Sequence, residues 1–415
     1  MQSSSLVSIA GMALSMLLLF FAFGHSKKKR LIDDTPTSKA HGVFIGLVEL
    51  SGTAETSSPV TSYLTERECV HYSWSISEHW SRTVTETYTD SQGKTRTRTK
   101  TESGWKLVAS GSDMCKFLLR DETGTVQIRP EGAKIEGTRV MNHYCGPSDP
   151  IYYGKGPAFF VPNSDHRRSF TETIIPLGAE LYVMGQARER EDVVAAEIAH
   201  DRESPIFIIS TRKEKKVSRS YGLSYWAFSI SGLAVILLSV FISRRLSVYW
   251  IPQTARDYVT AGLIYGAVWL IGWVWTVYNG LKALRERVRQ GRSQVEVQFR
   301  RRSDLIPRLV SLVAGLMRHE QTVQTIVADL RTEMTREVSS AASGLMLLIE
   351  KYPDLKSSQT VLNLQRELTE TENRIELARA YYNDLATFYN TRLERVPDFL
   401  IAKIAGLKQQ ELFKY

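Results

Sequence analysis

Three long apolar runs dominate the pattern of hydrophobic and polar positions along this chain of 415 residues. They cover residues 6–23, 222–242 and 258–277, and each is close to the ~20 residues with which a helix crosses a bilayer. The first run has no basic segment before it and no small-residue cleavage site after it, which is typical of an uncleaved anchor rather than a signal peptide. The pattern predicts a membrane protein with three transmembrane helices. A GxxxG pair in the third, Gly262 and Gly266, would permit close approach of another helix.

The basic flanks of these runs predict the orientation, because segments rich in Lys and Arg tend to remain in the cytoplasm. KKKR at 27–30 follows the first run, a basic segment at 212–219 precedes the second, and another at 281–292 follows the third. We therefore expect a multi-pass protein of the bacterial inner membrane, with its N-terminus outside and residues 27–220 and 278–415 in the cytoplasm. The link between the second and third runs also carries arginines, which leaves the opposite topology open.

Between the first two runs the pattern changes to short segments rich in Thr, Gly and Pro, which is typical of β-structure. Residues 41–50, 115–130 and 179–189 are predicted strands, the second with a turn at Gly124. We predict a β-rich domain over residues 40–215.

The most regular alternation lies at 81–103, where threonine occupies every second position on both sides of a DSQG turn. This pattern predicts a β-hairpin with one threonine face. The other face carries residues that could pair across the strands: Glu86, Tyr88, Lys94, Arg96 and Arg98. A basic strip for nucleic acid is the alternative, but no aromatic stacking platform accompanies it.

The chain after the third run has the period of amphipathic helices. Apolar positions of its first part recur at helical spacing: Leu281, Leu284, Val288, Val295, Leu305, Leu309 and Leu316. Two further helical segments occupy about 320–352 and 357–395, with breaks at 352–358 and 396–399 that contain proline and aspartate. Long amphipathic helices with short breaks predict an antiparallel bundle over residues 278–415.

One junction in this region has a distinctive sequence, RRRSDLIP at 300–307. Asp304 suits a helix N-cap and Pro307 the first turn of the following helix. The sequence therefore predicts a hinge or a helix restart here. The arginines are expected on the surface of the bundle or against a partner.

Composition adds little that discriminates between functions. The net charge of +9 suits either nucleic acid or an anionic membrane surface, and no nucleic-acid partner is expected since no base-binding pattern accompanies it. Three cysteines without a CxxC pair predict free thiols in a reducing compartment.

Candidate metal ligands are close in sequence, but the sequence does not establish that they are close in space. They are His71, His79, His143, Cys69 and Cys145. A metal site would need these donors to converge, so no metal site and no cofactor are expected. No GxSxG or HExxH pattern occurs, and no catalytic residue is assigned.

The β-rich region resembles the GIDE-type domain found beside the membrane in MULAN-type E3 ubiquitin ligases and in prokaryotic membrane proteins. The resemblance rests on residues 66–80 (ERECVHYSWSISEHW), the threonine hairpin and residues 117–135 (FLLRDETGTVQIRPEGAKI). Ligase activity in that family resides in a C-terminal RING, for which this chain lacks the cysteines. Ligase-like, other enzymatic or adaptor function is therefore the alternative, and we expect no enzyme.

The C-terminal region resembles the LemA family over residues 278–415. The family elements YN-x-L, basic-DLIP…HE, YP-x-L, LQ-x-EL…TENRI…AR-x-x-YN and P-x-x-LIA appear in order. The anchor that leads into YN-x-L is here the third apolar run, and two further runs with the β-rich region between them precede it. Family members usually have a single N-terminal anchor, so this chain resembles a fusion of two membrane-associated modules. The resemblance implies a membrane-anchored cytoplasmic helical bundle without established enzymatic activity. Magnetosome-associated proteins of the same family suggest a role in membrane organisation.

The polar residues of the LemA-like motifs are the candidate interaction residues. They are Asp304, His319, Glu320, Glu372, Asn373, Arg374, Arg379, Asn383 and Asn390. Either they make buried contacts that fix the helix register, or they line a polar cleft for a ligand or peptide. The expected function is a membrane-anchored scaffold whose partners are the lipid bilayer and other proteins or further copies of itself.

Overall fold

The computed structural model describes residues 2–89, 94–190, 196–202, 204–245, 255–316 and 359–413. The chain divides into two compact units. The helical unit comprises residues 1–36 and 218–415, and the β unit comprises residues 37–217.

The described helices account for the three apolar runs and most of the C-terminal region. They are α1 (Gln2–Asp33), α2 (Pro150–Gly154), α3 (Glu214–Arg245), α4 (Ala255–Leu316), α5 (Gln359–Glu394) and α6 (Asp398–Ile404). Three of them, α1, α3 and α4, are long and apolar enough to cross a membrane. The three predicted spans are thus present as helices.

The spans pack through small residues and polar contacts to backbone. Ser15 donates a hydrogen bond to the Gly232 carbonyl over 3.0 Å, and a Cβ added at Gly11 would lie 2.2 Å from Ser239 Cβ, so α1 and α3 run antiparallel in close contact. The GxxxG pair of α4 behaves differently, since no described atom lies within 4 Å of a Cβ built at either glycine. The close approach that this pair would permit is therefore not used by any described residue of the chain. Contact between α4 and α3 instead involves Tyr265, whose hydroxyl donates to the Ser229 carbonyl.

One end of the helical unit gathers the basic flanks. Lys29 near the end of α1 donates a hydrogen bond to Ser218 near the start of α3, over 3.2 Å. Gly272 of α4 lies against Phe23 of α1. The end of α1 and the start of α3, where the chain leaves and re-enters the helical unit, therefore lie beside each other.

Helix α4 continues without interruption through residues 300–307, so the predicted helix restart is wrong. Asp304 is exposed on the helix and Pro307 lies in the helix interior. Four residues around the proline are buried: Leu305, Ile306, Leu309 and Val310. An interior proline costs about 3 kcal/mol, whereas each buried side chain of this kind contributes roughly 1.5–3 kcal/mol. Packing of this turn outweighs the cost of the proline.

Helices α4 and α5 pack antiparallel. Gly291 lies against Leu385, and further along α4 Arg302 lies 3.5 Å from Glu372, so residue numbers rise on one helix as they fall on the other. The buried positions alternate at three and four residues, as in a coiled coil: Val277, Leu281, Leu284, Val288, Gly291, Val295 and Gln298 in α4, and Leu368, Thr371, Ile375, Ala378, Tyr382, Leu385 and Tyr389 in α5. A break is present close to the predicted one, at 395–397 rather than 396–399. The predicted segment 320–352 and the predicted break at 352–358 lie outside the described residues. The complete bundle therefore stays a prediction.

The β unit consists of two sheets. Its described strands are β1 (Thr37–Ser38), β2 (Gly46–Glu55), β3 (Val60–Thr61), β4 (Glu68–Thr89), β5 (Thr95–Met114), β6 (Phe117–Arg120), β7 (Thr125–Ile128), β8 (Lys134–Glu136), β9 (Thr138–Cys145), β10 (Ser164–Pro176), β11 (Glu180–Glu189), β12 (Ala196–Ala199) and β13 (Ile208–Ser210). One sheet has the order β1-β2-β6-β7-β12-β11-β13-β8, and the pairing of β2 with β11 makes it barrel-like. The other has the order β3-β4-β10-β9, with β5 paired to β4. Their cores contain alternating residues such as Leu119, Val183 and Ile198 in the first and Ile76 and Phe170 in the second.

The predicted hairpin is confirmed in its strands and register. Thr83 pairs with Thr101, and Glu86 pairs with Arg98 on the opposite face. The turn residues 90–93 lie outside the described residues. The predicted strand at 41–50 is shifted, because residues 40–42 form a 3₁₀ turn and β2 begins at Gly46. Gly46 has a φ of +135°, a backbone conformation that an L side chain would strain.

Candidate functional site

A cluster of charged side chains joins the C-terminal helices to the end of the first span. Arg392 of α5 donates hydrogen bonds to Asp34 over 2.7 Å and to Asp398, the first residue of α6, over 2.6 Å. Arg30 of α1 lies 3.3 Å from the same Asp398 carboxylate. The side chains of Asp34 and Asp398 are less than one-tenth exposed. We call these four residues the ion cluster.

Both carboxylates of the ion cluster are paired, although burial outweighs the pairing at Asp34 and raises its pKa above the usual value. Burial lowers the pKa of Arg392, but the charges of Asp34 and Asp398 outweigh it and raise that pKa above its usual value, so the guanidinium stays charged. Arg287 of α4 donates a hydrogen bond to Thr35 over 2.6 Å beside the cluster. Elements from α1, α4, α5 and α6 thereby meet at one point. Removal of Arg392 would leave the buried Asp34 carboxylate without its ion-pair partner, which is costly.

A cavity of about 490 Å³ opens next to the ion cluster. Its lining combines aromatic side chains of α3 and α4 with cationic side chains of α1 and of the link between α5 and α6: Tyr225, Trp226, Trp269, Trp273, Lys29 and Arg395. Tryptophan favours the boundary between the hydrocarbon core and water. The cavity thus has the composition expected where helices leave a bilayer.

A second polar group lies further along the α4–α5 pair. Arg302 is 3.5 Å from Glu372, and the guanidinium groups of Arg302 and Arg379 lie 5.2 and 4.9 Å from the centre of the Phe299 ring. Two cations on one aromatic ring, with one carboxylate nearby, link α4 to α5 at this point. Two predicted site residues, Glu372 and Arg379, belong to this group.

A third group holds the C-terminal segment in an extended conformation along α5. Asn383 donates to the carbonyl of Phe413 over 3.1 Å and accepts from its N–H over 2.9 Å, and Asn390 makes the same two contacts with Gln410 over 2.8 and 2.9 Å. Tyr382 adds a hydrogen bond to the Glu411 carbonyl over 2.7 Å. Two asparagines seven residues apart thus bind a peptide backbone through both of its polar groups. The bound peptide is the chain's own.

The remaining predicted site residues lie apart from these groups. Asp304 and Asn373 are exposed, and Arg374 pairs with Glu370 of its own helix over 2.9 Å. His319 and Glu320 lie outside the described residues. The described members of the set therefore do not line one common cleft.

Sequence reasoning missed the ion cluster. A signal was present, because Arg392 falls three residues after Tyr389, on the heptad positions that are otherwise apolar. A second signal was the pair of aspartates at 33–34, directly after a basic flank. Only the meeting of α1 with α5 and α6 shows what these charges contact.

In the β unit the histidine and cysteine candidates separate. His79 lies 2.6 Å from Asp165, and Cys69 is buried with a pKa raised by burial to about 11. His143 and Cys145 do come together, with Asp149 as a third residue, and one donor atom from each lies within 4.8 Å of the others. The cysteines are free thiols, as predicted.

Comparison with known proteins assigns both regions of the chain. Residues 291–415 match the model of the LemA family, and residues 85–243 match the GIDE model, described as E3 Ubiquitin ligase. The second match begins later than the region 40–215 and extends through most of α3.

The similar curated proteins are magnetosome proteins. Magnetosome protein MamQ 2 of Paramagnetospirillum magneticum is 24% identical over 39% of this chain and 75% of its own length, and MamQ 1 of that organism gives the same values. Magnetosome protein MamQ of Magnetospirillum gryphiswaldense is 24% identical over 33% of this chain and 64% of its own length. Together with the apolar helices, this similarity indicates a membrane-associated protein of a scaffold type.

Proposed function

We propose, from the premise that this chain joins a LemA-type region to a GIDE-type region, that it is a multi-pass scaffold which holds a rigid helical platform at one face of a membrane. The platform comprises α5, α6 and the part of α4 beyond residue 277. It engages protein partners or further copies of the chain. The relatives' names refer to magnetosomes, and the general role taken from them is membrane organisation.

The observation that carries this proposal is the continuity between span and platform. Helix α4 runs from the third span into the platform without a break, and the ion cluster fixes α5 and α6 to the end of α1. A flexible linker would let the platform move independently. A continuous helix with a buried ionic contact instead holds the platform at a fixed position relative to the membrane.

Helix α6 adds a second membrane contact in this proposal. Three of its apolar side chains are exposed, Phe399, Leu400 and Ile404, the last by 89%. Residues 395–398 line the cavity together with tryptophans of the spans, so α6 begins at the level of the bilayer boundary. An exposed apolar face at that level suits insertion into the headgroup region.

The orientation proposed is N-terminus outside, with residues 27–220 and 278–415 in the cytoplasm of a bacterium. It is supported by the basic flanks that gather at one end of the helical unit. At the opposite end Arg244 is paired with Asp257 over 2.7 Å, which weakens its contribution. Reporter fusions after residue 150 and at the C-terminus test this orientation, and a periplasmic signal from the first fusion refutes it.

Crosslinking of the chain in its membrane, followed by purification in detergent, tests the scaffold. We expect a stoichiometric partner or a regular homo-oligomer. The triple variant Phe399→Ser/Leu400→Ser/Ile404→Ser should retain the fold but lose part of its membrane-dependent assembly. Exposed Val297→Ser on the outer side of α4 is the matched control.

The alternative is a ligase-like enzyme or an adaptor for one, by analogy with the GIDE description. The three cysteines of the chain are too few for the zinc ligands of a RING. A stand-alone activity of the purified chain that is lost in Asp304→Ala or Glu372→Ala would replace the scaffold proposal by this alternative.

A further inference from the structure

Strand β9 presents two metal-binding side chains at the edge of a sheet. His143 and Cys145 are two residues apart, so they project to the same face of the strand. Among the described strands β9 pairs only with β10, where Phe170 and Arg168 lie opposite these two residues. No described strand pairs with the opposite edge of β9, so the following loop can fold back beside these two side chains.

The chain supplies such a ligand by turning back after β9. The Asp149 N–H donates to the Gly146 carbonyl over 3.1 Å, which closes the turn. One carboxylate oxygen of Asp149 accepts from the Ile151 N–H over 3.0 Å, and the other lies 2.7 Å from His143 Nε2. The backbone hydrogen bond orients the carboxylate so that its second oxygen points at the histidine.

We propose that His143 Nε2, Cys145 Sγ and the Asp149 carboxylate together bind one Zn²⁺ ion. The three donor atoms lie within 4.8 Å of one another. In a tetrahedral site with bonds of about 2.0–2.1 Å, nitrogen and oxygen ligands are roughly 3.3 Å apart. The His143–Asp149 contact of 2.7 Å therefore has to open by only about 0.6 Å to admit the ion.

The mixture of donors selects the type of ion. Imidazole nitrogen, thiolate sulfur and carboxylate oxygen together suit Zn²⁺, whereas Mg²⁺ and Ca²⁺ prefer oxygen ligands alone. A thiolate and a carboxylate balance the two charges of the ion, and the thiol proton is released to solvent on binding. The side chains of His143 and Asp149 are 45% and 31% exposed, which gives the ion access from solvent. Three protein ligands leave a fourth position for water or an external ligand.

This site departs from the expectation drawn from the sequence, which assigned no metal. His143 and Cys145 were candidates there, but their convergence with Asp149 depends on the turn after β9. The alternative is a simple hydrogen bond between His143 and Asp149, with Cys145 as a neighbour that makes no contact of its own with an ion.

Titration of the full chain in detergent with Co²⁺, as a spectroscopic substitute for Zn²⁺, distinguishes these alternatives. The chain should carry an affinity tag without histidine. We expect a near-ultraviolet thiolate-to-cobalt charge-transfer band that saturates at one Co²⁺ per chain and disappears when Zn²⁺ is added. Absence of that band at stoichiometric Co²⁺ overturns the proposal.

Single substitutions identify the ligands. Cys145→Ser should abolish the band, and Cys115→Ser is the matched control, since Cys115 is likewise a half-buried free thiol of the β unit. Asp149→Asn keeps a residue that caps α2 well, so it removes a charged ligand without removing the turn. Asp149→Asn and His143→Gln should each weaken Co²⁺ binding at least ~10-fold.

Two results contradict the assignment. One is a band that persists in Cys145→Ser, and the other is an unchanged Co²⁺ affinity in both Asp149→Asn and His143→Gln. Thermal melting of each variant without metal checks its folding. Should Cys145→Ser fail to fold, the affinities of the other two variants decide the question.

Discussion

Two charged side chains that are fully buried in the β unit form an ion pair with each other. The side chains of Arg168 and Glu78 are completely inaccessible and lie 3.1 Å apart. Arg168 also donates to the carbonyl oxygens of Tyr152 and Phe159 over 2.8 and 2.9 Å, and its guanidinium lies 4.1 Å from the centre of the Tyr152 ring. It therefore holds α2 and the following loop against β4 and β10. Such an arrangement stabilises only while both charges are present.

Replacement of Arg168 by Met should lower the free energy of unfolding of the β unit by about 3–5 kcal/mol, because Glu78 is left buried without a countercharge. Arg167→Met is the neighbouring control. Arg167 is largely exposed in its pair with Asp165, and loss of such a pair costs less than about 1 kcal/mol. Denaturant unfolding followed by fluorescence measures both. Equal losses of unfolding free energy in the two variants would show that the buried pair contributes no more to stability than the exposed pair.

At the scale of elements, α4 is the feature that joins the third candidate span to the rest of the helical unit. Its sequence contains a proline and a preceding aspartate that together resemble a helix start. The helix nevertheless continues, and apolar residues on both sides of Pro307 are buried. The helix-start preference of this local sequence contributes less free energy than the burial of several large side chains.

Pro307→Ala should stabilise the helical unit by up to about 3 kcal/mol, because it restores a backbone donor and removes a steric conflict inside a continuous helix. Asp304→Ala should change stability by less than about 0.5 kcal/mol, since Asp304 is an exposed residue within that helix. Thermal melting measured by helical circular dichroism tests both. A loss near 1 kcal/mol in Asp304→Ala, with no gain in Pro307→Ala, would instead indicate an N-cap and a restarted helix.

At the scale of the whole molecule, the chain contains two units with separate cores. The helical unit depends on the α4–α5 stripe and the ion cluster, whereas the β unit depends on its two sheets. The helical unit is assembled from chain segments on both sides of the β unit. A single free energy of unfolding therefore does not describe the molecule.

Two substitutions should separate the units in amide hydrogen exchange. Arg392→Met leaves Asp34 and Asp398 without their central cation, so amides of α5 and α6 should exchange at least ~10-fold faster, while those of β10 remain unchanged. Arg168→Met should give the reverse pattern. Faster exchange in both units from either substitution would contradict separate stabilities.

Local patterns in the sequence were sufficient for elements whose period is long and regular. The three spans, the threonine hairpin and the helix now seen at Gln359–Glu394 follow directly from hydropathy and alternation. The inward face of α5 needed the tertiary structure, because Tyr382 and Tyr389 are buried whereas the adjacent Tyr381 and Phe388 are not. Adjacent residues of a helix point about 100° apart. Packing against the partner helix therefore decides which of two adjacent aromatic side chains faces inward.

The sequence by itself determined the membrane character, the β-rich and helical regions and the resemblance to two families, since each depends on period, composition or ordered motifs. The tertiary structure alone decided which charges meet. Asp34 and Arg392 are paired although they are distant in the chain, His143 and Cys145 gain Asp149 through a turn, and Asn383 and Asn390 bind the chain's own end. Such contacts depend on the packing of whole elements, and packing draws on many small contributions that no local pattern contains.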